Sequence, residues 1–386
     1  MQPEPLEIRI DDAALADLRE RLARTRFAPD FANDDWRYGV PGDYLAELVD
    51  YWRERYDWRA QEAAMNAFAN FCVTLDDVPI HFVHELGVGP APIPLILTHG
   101  WPWSFWDFRD VIGPLSDPAA HGGDPEDAFD VVVPSLPGFG FSSPLARPGV
   151  STGVVADLWD RLMRDCLGYQ RYGAQGGDWG ALVSATLGHR YADHLYGVHE
   201  SLIGLLEFDY AGVRADDFGE GEEGWWENVV AKSTTIASHM AVHSSDPQTL
   251  AYGLHDSPAA LLAWILERRR AWSDCGGEVE SVFPRDDLLT LASIYWLTGT
   301  IGTSLRFYWE NARAPFRRVH DRKPVCEAPT GFAVFPRDVL LVPRRLAEQQ
   351  ANLVHWSVMR QGGHFAPAEQ PEPLVEDIRS FFRPLR

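Results

Sequence analysis

The chain has 386 residues and a formal net charge of −22. An acidic balance of that size excludes electrostatic binding to nucleic acid or to an anionic membrane surface, because both would repel it. The length admits one large α/β domain with insertions or two domains, and the abundance of Trp, Phe and Tyr predicts a core or pocket rich in rings.

Cys72, Cys166, Cys275 and Cys326 lie far apart and form no CxxC pair. Buried free thiols in a reducing compartment are expected rather than a zinc cluster. The start, "MQPEPLEIRI", lacks a basic-then-apolar signal segment. No apolar run approaches the roughly 20 residues that span a bilayer, so a soluble, cytoplasmic protein is expected. Internal repeats and low-complexity segments are absent from the sequence.

Helical periodicity dominates the first seventy or so residues. Asp11 and Asp12 stand where a helix cap is expected, and Leu15, Leu18 and Leu22 then share a face. In "DYLAELVDYWRERY", Leu45, Leu48, Val49 and Trp52 do the same. Residues 1–74 are therefore expected to form an N-terminal helical extension. From about residue 75 short apolar runs alternate with helical stretches. The runs are "PIHFVHEL", "PLILTHG", "FDVVVPSLPGFG", "RYGAQGGD", "YGVHESL", "GFAVFPRD" and "LVHWSVMRQGGH". They predict an α/β core over 75–202 and 316–386, a mostly parallel sheet with helices on both faces. Ligands of such sheets bind beyond the carboxyl ends of the strands. Residues 203–315 read mostly as helices, an insertion placed to act as a lid. The acidic run from Glu220 to Glu223 is expected to be a solvated loop.

Three strand ends carry chemistry. In "YGAQGGDWGALVS", Gly176, Asp178 and Gly180 occupy the G-x-Nu-x-G frame of a strand–turn–helix elbow, with a carboxylate at the apex. An Asp that merely caps the following helix is the plain alternative. "LTHGWPWS" places His99-Gly100-Trp101-Pro102 after an early strand, so main-chain N–H groups at Trp101 and Trp179 are the expected oxyanion-hole donors. Asp338 ends a late strand, and His364 follows the last one in "MRQGGHFAPAEQPE". The order Asp178, Asp338, His364 is nucleophile, acid, histidine. A carboxylate nucleophile suits attack at an sp3 carbon, leaving an alkyl ester that a histidine-activated water then breaks. Epoxides and haloalkanes both fit that chemistry, and no cofactor is required. Metal-dependent hydrolysis is the weaker reading. His81 and His84 share a strand with no carboxylate at metal spacing, and His121, Asp124 and Glu126 lie among turn formers.

The sequence resembles the microsomal-type epoxide hydrolases of the α/β-hydrolase fold, over nearly its whole length. The likeness rests on the extension, HGWP at 99–102, "PSLPGFGFS" at 134–142, QGGDWG at 175–180, "HDSP" at 255–258, "YWLTGT" at 295–300, RFYWEN at 306–311 and "GGHFA" at 362–366. The resemblance implies Asp178 as nucleophile, His364 as base, Asp338 as its acid partner and a small-molecule epoxide and water as reactants. It also implies two lid tyrosines that grip the epoxide oxygen. Tyr308 in RFYWEN matches one of them. An ungapped count back from "HDSP" puts His239 at the other, with Tyr252 or Tyr295 as the alternatives. The sequence resembles in particular actinomycete members, including those of enediyne antibiotic biosynthesis that hydrate bulky aryl epoxides. Trp225 and Trp226 suit either an aromatic substrate or the lid core. A haloalkane dehalogenase, or a non-catalytic binding protein on the same fold, is the alternative reading. The oligomeric state stays open, with a homodimer as one expectation.

Overall fold

The computed structural model describes residues 2–386. Nine strands form one sheet: β1 (Glu4–Pro5), β2 (Asn70–Leu75), β3 (Val78–Glu85), β4 (Ile93–Thr98), β5 (Phe129–Pro134), β6 (Tyr172–Gly176), β7 (Leu195–Glu200), β8 (Cys326–Val334) and β9 (Ala351–Val358). Their spatial order is β1-β2-β3-β5-β4-β6-β7-β8-β9. The pairs among β1, β2, β3 and β5 are antiparallel, and those from β5 through β4 to β9 are parallel. Every residue of β4 is buried, as a parallel strand covered on both faces requires. The fold is that of an α/β hydrolase, with helices flanking a mostly parallel sheet.

Besides β1, the sheet takes in β2 from Asn70, ahead of the expected boundary of 75. A tight turn makes this early start feasible: Asp76 and Asp77 both have positive φ, 50° and 62°, which suits a two-residue hairpin between β2 and β3. Ahead of it, the helix Asp12–Ala23 buries Leu15, Leu18 and Leu22, and the helix Gly42–Glu54 buries Leu48, Val49 and Trp52. Asp11 precedes the first of these without a side-chain capping bond.

Between β7 and β8 lie the helices Trp225–Ser245, Pro247–Asp256, Pro258–Trp272, Arg285–Leu297 and Ile301–Arg313. The last two are parted at Gly299, whose φ of 67° breaks the helix. The buried ion pair Arg269–Asp107, 2.5 Å, ties this layer to the loop after β4, and Arg269 also donates to the Pro102 carbonyl at 3.2 Å. No single helix among the described residues is long and apolar enough to cross a membrane.

Candidate active site

Asp178 sits between β6 and the helix Trp179–Arg190 at φ 51° and ψ −124°, a conformation costly for any residue with a Cβ. Its neighbours are small because the backbones touch. A Cβ on Gly176 would lie 2.3 Å from the Gly180 carbonyl, and one on Gly180 would lie 2.0 Å from the Thr98 carbonyl oxygen. The plain capping role does not describe Asp178, whose side chain makes no capping bond to the helix. Instead its Oδ1 accepts the Trp101 N–H at 2.8 Å, and its Oδ2 lies 3.3 Å from His364 Nε2. Gly100 makes room for this, since a Cβ there would come within 2.2 Å of Oδ1. No bond from the Trp179 N–H to the carboxylate is present among the described residues, although that group opens the helix just behind it.

His364 Nδ1 bonds Asp338 Oδ1 at 2.8 Å, with both side chains buried. The same carboxylate oxygen accepts the Val339 N–H at 2.5 Å. Trp103, Trp272 and Phe365 stand edge-on around the imidazole, with centroids 5.5, 5.2 and 5.1 Å away. The glycines of GGH permit the approach of the next layer: a Cβ on Gly363 would meet the Trp272 carbonyl at 2.6 Å, and that carbonyl accepts the His364 N–H at 3.0 Å. Burial alone would depress the imidazole, but the charge of Asp338, hydrogen bonds to Asp178 and Asp338, and the charge of Asp178 raise it to about 9.

Across from Asp178 is a cavity of about 350 Å3, lined by Asp178, Trp179, His239, Tyr308, Trp272, Tyr210 and the apolar Leu182, Leu202, Ile236, Met240, Val339 and Leu340. His239 and Tyr308 thus line the same cavity as Asp178. Burial first, and then the charge of Arg268, push His239 down to about 3, so its ring is neutral. Burial, with the Asp178 charge adding to it, lifts Tyr308 well above 10 and keeps it a phenol. Tyr252 is 70% exposed, and Tyr295 donates its hydroxyl to the Trp103 carbonyl at 2.7 Å. Neither borders the cavity. Trp225 packs with Trp356 and Trp226 with Phe218, away from the lining.

Several residues around the site were not singled out from the sequence. His243 is fully buried, 4.8 Å from the Tyr308 ring, and its Nε2 accepts the Trp264 indole N–H at 3.2 Å. An indole only donates, so His243 carries its own hydrogen on Nδ1. His239 and His243 are four apart on one helix, a spacing that was available as a signal once the helix was known. Asn228, Lys232 and Trp272 carried no motif. His81 is bound between Ser135 and Asn70 inside the core, where burial brings it down to about 3, and His84 meets Tyr169. Among the described residues no three His, Cys, Asp or Glu converge on a metal site.

Two family models match the chain: "Epoxide hydrolase N terminus" over residues 3–108 and "alpha/beta hydrolase fold" over 93–294. A Stigmatella aurantiaca (strain DW4/3-1) protein that carries the epoxide hydrolase name is 40% identical over 383 residues, spanning 99% of this chain and 85% of that one. Epoxide hydrolase 1 of Oryctolagus cuniculus is 34% identical over 401 residues, with 98% and 88% covered. The structure of the Aspergillus niger epoxide hydrolase superposes with a TM-score of 0.87 at 30% identity, covering 100% of this chain and 97% of that one. Extension, hydrolase core and full-length relatives agree, and the chain belongs to the microsomal-type epoxide hydrolases of the α/β-hydrolase fold, enzymes that add water to an epoxide.

Proposed function

We propose that this epoxide hydrolase works through an ester on Asp178 and takes a bulky, apolar, aryl-bearing epoxide. The observation that carries the reading is the division of labour at Asp178, which borders the cavity: Oδ1 is held by the Trp101 N–H while Oδ2 lies 3.3 Å from His364 Nε2. Oδ2 attacks a ring carbon and the C–O bond breaks. The departing oxygen takes the Tyr308 proton while the neutral His239 N–H donates a hydrogen bond to it. The resting imidazolium of His364 then loses its proton, which restores Tyr308. It can do so because alkylation abolishes the Asp178 charge, one of the influences that held that proton.

Neutral His364 next removes a proton from water, whose oxygen adds to the ester carbonyl. The resulting oxyanion is on Oδ1, beside the Trp101 N–H. Collapse expels the second alkoxide, which takes the proton from His364. The new carboxylic acid returns its own proton to the imidazole, so the site is regenerated and the sum is epoxide plus water to vicinal diol. Asp338 orients the imidazole throughout. The apolar lining supports the substrate class: beyond Asp178, its polar groups are those of His239, Tyr308 and Tyr210 and the indoles.

The test is His364→Gln mixed with a panel of aryl and alkyl epoxides, followed by peptide mass mapping. A stable adduct on the peptide bearing Asp178 is expected, largest with aryl epoxides. No adduct with any epoxide that the wild type turns over would sink the ester mechanism.

A further inference from the structure

The helix Trp225–Ser245 reaches the site at two levels. His239 borders the cavity on the oxygen side. Two turns earlier the half-buried Lys232 sends its ammonium to two main-chain carbonyls, those of Arg337 and of Trp272, the latter at 3.2 Å. The Trp272 oxygen is the one that accepts the His364 N–H at 3.0 Å. The Arg337 carbonyl belongs to the peptide that enters Asp338. One turn earlier still, the buried Asn228 donates Nδ2 to the Asp338 carbonyl at 2.7 Å. Two side chains of one lid helix therefore hold both carbonyls flanking the acid residue and the carbonyl from which the base residue hangs.

We infer that Lys232 is a positioning residue for the water-activating half of the reaction, holding the Asp338 loop and the His364 loop in register from the lid helix. The inference rests on the two-step ester mechanism proposed for Asp178. Asp338 and His364 follow different strands, β8 and β9, and their 2.8 Å bond depends on how those two loops sit against each other. An ammonium suits this position because it has three donors and no acceptor, and its bonds to carbonyl oxygens are charge-assisted. Seven residues of helix separate Lys232 from His239, a rise of about 10 Å. One rigid element thus connects the donor on the epoxide oxygen with the relay that activates water. The ammonium also adds charge near the relay. Asp338, Asp274 and Glu369 surround it, with Arg337 as the other cation. Removing it leaves those carboxylates freer to hold the His364 proton, so the acid limb of ester hydrolysis moves to higher pH.

The experiment separates the two half-reactions. Single turnovers of styrene oxide are followed by the quenching of tryptophan fluorescence as Asp178 is alkylated, and by intact mass as the ester decays. Lys232→Met is expected to alkylate within about twofold of wild type but to hydrolyse the ester on the order of tenfold more slowly, the scale of a small misplacement of a catalytic group. The ester then accumulates at steady state, and Lys232→Arg restores most of the hydrolysis rate. Asn228→Ala shifts the balance the same way and stands in should Lys232→Met fail to fold. An equal fall in both steps, an unchanged hydrolysis rate, or an arginine no better than methionine overturns the inference. An ester that forms on Asp178 in His364→Gln while Lys232→Met leaves the balance untouched overturns this inference alone. No ester in His364→Gln overturns the two-step mechanism and this inference with it.

Discussion

The imidazole of His239 stands at 89° to the phenol of Tyr308 with ring centroids 5.3 Å apart, and both groups border the cavity above Asp178. His239 also lies flat on Trp101, 5.2 Å away and 14° from parallel. The backbone of that same tryptophan holds Asp178, so His239 is registered to Asp178 through a single residue. His239→Ala should slow alkylation on the order of 10- to 100-fold, at the lower end of what a positioned donor contributes. His239→Tyr should retain most of the rate. Because His239 is held down at about 3, the alkylation rate should show no inflection near pH 6.5 attributable to it. Stopped-flow alkylation from pH 5 to 8 checks both points, and a His239-dependent inflection would contradict the neutral-donor role.

Asp338→Asn keeps the shape of the relay and removes its charge. The charge of Asp338 is the leading influence that raises His364, so the imidazole should fall and the acid limb of ester hydrolysis should move to lower pH. The hydrolysis rate itself should drop on the order of 100-fold or more, as when the orienting acid of a triad loses its charge. Alkylation should persist. Measuring the pH dependence of ester decay distinguishes this from a general loss of fold.

Gly100→Ala should abolish turnover. Its Cβ would fall 2.2 Å from Asp178 Oδ1, the oxygen held by the Trp101 N–H. Either the carboxylate or the HGWP loop must move, and misplacement of about 1 Å costs on the order of 100-fold. Retained alkylation by this variant would show that the observed Asp178 rotamer is not the reactive one.

Stability should depend on pH through His364. Its folded value of about 9 lies above the unfolded value of about 6.5. Such a group stabilises the fold fully below about pH 6.5, and the contribution fades as pH rises through about 9. Urea midpoints of the wild type should therefore fall across that window more than those of His364→Gln. Parallel curves for the two proteins would refute the linkage.

Arg269→Met should destabilise by about 3–5 kcal/mol, because it leaves Asp107 as an uncompensated buried charge. The side chains of the pair are 3% and 7% exposed, and the guanidinium also lies 4.0 Å from the ring centroid of Phe365, next to His364. Equilibrium urea unfolding at pH 7 measures the loss.

Much of the sheet was legible because its apolar runs are short and end in turn formers. The strand β8 was read from Gly331, yet it begins at Cys326. Pro329 lies at a shift of register against β9, and proline with glycine masks the strand pattern on that side. The hairpin strand β2 was absorbed into the helical extension, since "NFCVTL" follows a helix without an intervening loop signal. At the site, Tyr308 and His239 came from the resemblance to the family, through RFYWEN and an ungapped count from HDSP, whereas His243, Lys232 and Asn228 did not. A helical period tells which residues share a face, but not which loop will lie against it.

What the sequence by itself determined was the chemistry along the chain: a carboxylate at a glycine-bounded elbow, then an acid, then a histidine, each at a strand end. Such features are local, because an elbow demands small residues and the two-step ester mechanism proposed for Asp178 would demand those groups. The tertiary structure decided between His239 and its alternatives in the lid and added the residues behind them. It turned Tyr295 toward the Trp103 carbonyl and left Tyr252 in solvent. It buried His239 deeply enough to keep its ring neutral, and it brought Lys232 onto the carbonyls beside Asp338 and His364. Those outcomes depend on packing between segments 40 to 192 residues apart, where desolvation and main-chain contacts act and sequence spacing does not tell which groups meet.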